Sequence, residues 1–471
     1  MLRFSALVLL SVLLAAPLAP AQYQVTLPSA MPQGHQPVTL VATTDLHYPG
    51  WDWDDVADAT TTYAMGAGGY VNLAGIVCDQ PYSYSRGDGK AWRGIYAAAT
   101  GVDVPYYDGL NTSLAGTGDN GDGQGSWTAG RDRILSVMSS AADHSVVLSS
   151  VGSLRDIAAA FNKNPTLFQQ KIKSVYTSGG AVGSPFDANW GSDRNATRAL
   201  LNAGVPMHVA FCAASGSLPN SGSNYLMDLR AMSNMLDTVN PELGQVNYWA
   251  YYGAQEGGFR FKHYTFDTSR APFFGVPILS PSPWAGLNRP PLPAGISVAA
   301  VTADPQAFFN EPMDESYSRD GFNLTVWDEL HDPPTGSDGS IAPFGIKGMW
   351  STILFLDAAG LRIFQNAADP TQVRVDFADD LGAEWRRVAF FDPAQYTFAG
   401  DNFQYALSTE AQANIHMFHW STATQAEYQG IIDAVDRALI SSYLPEPATV
   451  LLLMGGAGAI LGRRRVRRHS P

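Results

Sequence analysis

From Val38 to Phe211 the chain alternates two hydrophobic rhythms. Short, continuous, β-branched apolar runs at Val38 to Thr43, Leu73 to Cys78, Ser145 to Ser150, Lys171 to Tyr176 and Met207 to Phe211 predict buried strands. Between them, apolar residues recurring three and four apart predict helices over Val56 to Ala67, Ser153 to Phe161 and Asp193 to Ala203. Strands alternating with helices imply an α/β fold: a mostly parallel, Rossmann-like sheet with helices on both faces, whose ligands bind beyond the carboxyl ends of the strands. The rhythm then loosens over residues 216–347 into a loop-rich insertion, with Pro281-Ser282-Pro283-Trp284 and Asn288-Arg289-Pro290-Pro291 as examples. It resumes with a helix expected over Gly348 to Phe364 and hairpin-like strands over Gln372 to Phe390.

Two apolar stretches fall outside this body. Residues 1–21 place Arg3 before an apolar run and close on Ala19-Pro20-Ala21, the pattern of a signal peptide, which predicts export. Residues 444–471 carry Pro445-Glu446-Pro447, an apolar run from Ala448 to Gly462, and then Arg463, Arg464, Arg465, Arg467 and Arg468. About 20 apolar residues cross a bilayer comfortably, so this shorter run predicts transient anchoring with its basic end cytoplasmic. The order of the three parts resembles a PEP-CTERM sorting signal. That resemblance implies processing by an exosortase-type enzyme and delivery to the cell envelope or extracellular matrix. The body is then a single domain spanning 22–443.

Composition narrows the function classes. The net charge is −14, roughly −19 without the five tail arginines, which argues against a nucleic-acid-binding face. Cys78 and Cys212 are too few for a disulfide framework and are expected as buried thiols.

The candidate chemistry sits where the first strand meets the first helix. Asp45, Asp52, Asp54 and Asp55 fall within eleven residues there. Carboxylates so crowded raise one another's pKa unless a cation compensates, and an oxygen-only donor set favours calcium or magnesium. The alternative is a solvated acidic turn capping the helix through Asp52 or Asp54.

This segment resembles the opening signature of the inosine-uridine nucleoside hydrolases, an Asp-x-Asp strand end followed by Asp-Asp and a helix. Further matches occur in the family's order: Leu73-Ala74-Gly75-Ile76-Val77 as its second strand; Val151-Gly152-Ser153-Leu154-Arg155-Asp156-Ile157-Ala158 as its Gly-Pro-Leu-Thr-Asn turn; Ser178-Gly179-Gly180 as its Met-Gly-Gly; and Asp187-Ala188-Asn189 with Asp193-Arg194-Asn195-Ala196 as Glu-Phe-Asn and Asp-Pro-Glu-Ala. The resemblance implies calcium held by Asp45, Asp55 and the Val151 carbonyl, with Asp54, Asp187 and Asn189 on the sugar. Asp45 would also serve as general base for hydrolysis of a ribosyl N-glycosidic bond. Its substrate would be a small ribosyl compound.

The chain departs from that pattern in four places. Thr43 replaces the first aspartate, the loop from Asp45 to Asp54 is longer, and the family's Asn after the second strand is not evident, although Gln80 could serve. The late calcium-ligand aspartate is either Asp332, in His331-Asp332-Pro333, or missing, because the expected helix start carries Ser351. A non-catalytic sugar- or nucleoside-binding protein on the same fold is therefore a second reading. A third is a metallophosphoesterase: Asp45-Leu46-His47 and Gly118-Asp119-Asn120-Gly121-Asp122 resemble two of that family's elements, but its Gly-Asn-His element is lacking. His416-x-x-His419, at helical spacing, is expected to be a surface or packing pair rather than metal-binding. Tyr248, Trp249, Tyr251 and Tyr252 are expected as core or packed loop.

Overall fold

The structure, a computed structural model, describes residues 23–29, 31–46, 53–79, 93, 96, 97, 100–179, 188–211, 223, 225–228, 346–349, 351–399 and 404–443. Most of the expected insertion, the leader and the tail lie outside them.

The strands are β1 (Gln24–Thr26), β2 (Val38–Thr44), β3 (Val71–Cys78), β4 (Tyr106–Asp108), β5 (Val146–Ser150), β6 (Ile172–Ser178), β7 (Met207–Ala210), β8 (Tyr225–Asp228), β9 (Ile346–Met349), β10 (Arg362–Asn366), β11 (Gln372–Asp376), β12 (Trp385–Arg387), β13 (Ala389–Ala399) and β14 (Gln404–Trp420). The helices are α1 (Trp53–Ala67), α2 (Ala129–Ser140), α3 (Arg155–Lys163), α4 (Pro165–Lys171), α5 (Ala188–Gly191), α6 (Arg194–Leu201), α7 (Thr352–Ala358) and α8 (Gln425–Tyr443).

The main sheet runs β13-β14-β7-β6-β5-β2-β3-β4, and every neighbouring pair but the edge hairpin β13–β14 is parallel. This is the expected mixed α/β architecture. Its central strands are buried along their length: β5 is buried at all five positions, as both-face coverage by helices requires. One apolar layer joins the sheet to α1, α7 and α8 through Tyr63, Leu354 and Ile431; the other joins it to α2, α3 and α6 through Ile134, Ile157 and Leu200. A second sheet, β1-β11-β10-β12, flanks the first layer, with Val373, Val375 and Ile363 facing into it.

Three expectations past Gly348 need correction. The helix there covers only Thr352–Ala358; it stops at Gly360, whose φ of 81° is the left-handed cap conformation that glycine adopts freely. The strands within Gln372 to Phe390 are not a hairpin, since β11 and β12 each pair with β10 from opposite sides. His416 and His419 lie on strand β14, not a helix. There His416 stacks on His208 with ring centroids 5.0 Å apart, while His419 pairs with Asp392 at 2.7 Å. Cys78 is buried, as expected, and Cys212 lies outside the described residues.

Candidate functional site

Parallel register brings the carboxyl ends of β2, β3, β5, β6 and β7 to one edge. Backbone bonds carry the ladder just past the strands: Asp79 N–H donates to Thr44 O at 2.7 Å, Val151 N–H to Thr43 O at 3.0 Å, and Gly179 N–H to Ala210 O at 3.1 Å. The edge therefore gathers Asp45, Asp79, the Val151-Gly152-Ser153 turn and Asn189 from segments far apart in the chain.

Asp45 is partly exposed at the tip of β2 and lies against Gly152. A Cβ on residue 152 would fall 2.8 Å from the Asp45 nitrogen and 3.0 Å from its Oδ1, so only glycine permits this approach. Asp55, in the first turn of α1, is 3 % exposed and accepts a hydrogen bond from the Thr44 hydroxyl, which itself accepts from Leu46 N–H at 3.0 Å. Thr44 thus fixes both the strand exit and the helix entry. Thr43, where the resemblance expects an aspartate, is buried and neutral.

The remaining expected residues divide. Val151 is buried beside Asp45's neighbour Gly152, and Asn189, on α5, donates through Nδ2 to Ser178 O at 3.0 Å. Asp54 belongs to the first turn of α1; Asp187, Asp332, His47, Gln80 and the aromatic residues Tyr248 to Tyr252 lie outside the described residues. Ser351 immediately precedes α7 and is buried, so that helix start offers a hydroxyl and no carboxylate.

Among the described residues no three His, Cys, Asp or Glu side chains gather into a metal-holding group. As a donor set, the Asp45 and Asp55 carboxylates and the Val151 carbonyl are all hard oxygens, and their chemistry suits calcium better than a transition metal.

A charged centre behind this edge has no counterpart among the expectations from sequence. Asp79 closes β3 and accepts Ser153 N–H at 3.0 Å, next to the start of α3. Its other oxygen stands 3.5 Å from Nη1 of Arg155, whose Nε bonds Asp193 Oδ2 at 3.0 Å. Asp193 caps α6 through Ala196 N–H at 3.0 Å and also accepts Leu114 N–H at 2.7 Å. Asp156 accepts Leu110 N–H on both oxygens, at 3.2 and 3.1 Å; burial, and then the charge of Asp79, push its carboxyl up to about 7. All four side chains are at most 2 % exposed. The available signal for Asp79 was an acid terminating the apolar run Leu73 to Cys78.

The loop carrying Gly118 to Asp122 is committed to its own structure. Asp119 accepts from Ala115 and Gly121 N–H, and Asp122 pairs with Arg131 at 2.7 Å and Lys163 at 2.6 Å.

No family model matches the chain, and neither does any curated protein. Among solved structures, the chain is similar to the type III effector XopQ complexed with adenosine diphosphate ribose, at 14 % identity and TM-score 0.48, over 88 % of this chain and 95 % of that one. A plant nucleoside hydrolase gives 10 % identity and TM-score 0.40 over 87 % and 99 % of the two chains. An inosine-uridine preferring nucleoside hydrolase from Bacillus anthracis gives 10 % and 0.41 over 85 % and 99 %. At these identities and TM-scores the likeness says nothing of activity.

Proposed function

We propose that the chain is an exported, calcium-dependent N-ribohydrolase acting on a ribonucleoside or related ribosyl compound at the carboxyl edge of the main sheet. The observation that carries this reading is the approach of Asp45 to Gly152, which sets a partly exposed carboxylate against the turn that follows β5, at the end of two adjacent parallel strands. Asp45, Asp55 and Val151 would hold the cation, with Asp332 as a further ligand; the cation would fix a vicinal diol and make a nearby water more acidic. Asp45 would accept a proton from the attacking water. Asp54, Asp187 and Asn189 would orient the sugar, and Asn189 is already held by its bond to Ser178. Export and delivery to the envelope or matrix, with exosortase-type processing, rest on the two terminal segments.

Purified body supplied with calcium and inosine, uridine or adenosine is expected to release reducing sugar. Asp55→Ala is expected to lower calcium affinity at least tenfold by calorimetry, and unchanged affinity refutes that ligand. One observation favours a second reading, a sugar-binding protein without catalysis: the residue at the N-cap of α7 is Ser351 rather than an acid. Calcium binding with no sugar release from any of the three nucleosides selects it.

A further inference from the structure

The two ends of the main sheet differ in what leaves them. Helix α8 starts beside the carboxyl edge: the Tyr428 hydroxyl donates to Ser223 O at 3.0 Å, and Ser223 N–H donates to Phe211 O, just past β7. It then crosses the sheet alongside α1, to which the Thr61 hydroxyl ties it through Asp436. It ends at the opposite edge, where the Tyr443 ring lies edge-on to Tyr70 with centroids 5.2 Å apart and the two hydroxyls bond each other. Tyr70 directly precedes β3, and Tyr443 also packs on Gly68, where an added Cβ would meet its ring at 3.1 Å. The chain therefore leaves the body at the amino edge, about 28 Å along a 19-residue helix from where α8 begins.

Beyond Tyr443 the chain reads Leu444-Pro445-Glu446-Pro447 before the apolar run begins at Ala448. Four residues span at most about 14 Å fully extended, and two of them are prolines that stiffen the link. So short a link cannot reach around a domain of this size. We infer that, while its tail is inserted, the body stands on a lipid surface with the amino edge of the main sheet facing the headgroups and the Asp45 edge pointing away. This rests on the reading of 444–471 as a membrane-inserting tail. Lipid would then not cover the candidate cleft, and a soluble substrate could reach it before processing releases the body.

The test uses the full chain in vesicles of phosphatidylcholine and phosphatidylglycerol doped with a headgroup nitroxide lipid. In a Cys212→Ser background, where buried Cys78 stays unreactive, a fluorophore is attached either at Ala67→Cys, exposed at the end of α1, or at Ala423→Cys, exposed between β14 and α8. The nitroxide is expected to quench the first several-fold more than the second. Co-flotation of the chain with equal quenching, or with stronger quenching at residue 423, overturns the orientation alone. If the full chain fails to float with the vesicles any better than a chain ending at residue 443, the tail reading falls and the orientation falls with it.

Discussion

Among the described residues the main sheet carries a charged centre on each face, and the two are out of balance in opposite senses. Behind the candidate site, Asp79, Asp156 and Asp193 surround Arg155. On the other face, Asp357 of α7 accepts the Tyr176 hydroxyl at 2.8 Å and faces Arg362 at 2.9 Å, Arg387 at 3.5 Å and His208 at 3.6 Å. Where acids outnumber the cation, a carboxyl keeps its proton: Asp156 rises to about 7 through burial and Asp79. Where cations outnumber the acid, a base gives its proton up: burial pushes His208 down to about 4, against the pull of Asp357, with His416, Arg362 and Lys173 adding to the fall. A buried cluster adjusts its proton content before it tolerates surplus charge.

The centres also differ in access to water, and this sets the largest expected effect. Arg155→Met would leave Asp79 and Asp193, each 1 % exposed, without their cation, and should cost about 3–5 kcal/mol in urea unfolding. Asp357→Asn should cost less, about 1–3 kcal/mol. Arg362 and Arg387, with side chains 20 % and 28 % exposed, can turn toward solvent, whereas Asp79 and Asp193 cannot. An equal or larger loss at residue 357 would break the comparison.

The smallest expected effect is on the slope of stability with pH. A carboxyl raised from 3.8 to about 7 contributes stability fully below pH 4, and that contribution fades as pH rises through 7. An imidazole lowered from 6.5 to about 4 contributes fully above pH 6.5 and loses its contribution as pH falls through 4. Thermal midpoints of Asp156→Asn measured from pH 4 to 8 should show a flatter decline on the alkaline side than the parent chain. His208→Gln should flatten the acid side instead. If each substitution leaves its own limb unchanged, these two groups are not the ones that titrate.

The strands β2, β3, β5, β6 and β7 were legible in the chain to within two residues at each end, because a strand buried on both faces needs a continuous apolar run. Helix α8 and the long β13–β14 hairpin were not anticipated. β14 carries Gln412, Asn414, His416 and His419 among its apolar residues, which blurs any simple alternation. The expected helix over Gly348 to Phe364 ran the end of β9, α7 and the start of β10 together, and of these α7 and β10 are divided only by the turn at Gly360.

What the sequence alone determined is the chemistry present: an acidic cluster at a strand exit, and terminal segments unlike the body in hydropathy and charge. These are local properties, set by residue type and spacing. Only the tertiary structure decided which acids share a centre, because Asp79, Arg155 and Asp193 meet across 114 residues through strand order rather than through any periodicity. It likewise decided that α8 ends at the edge opposite Asp45. A helix's direction across a sheet is fixed by what its two ends pack against, and those partners, Ser223 at one end and Tyr70 at the other, lie hundreds of residues away in the chain.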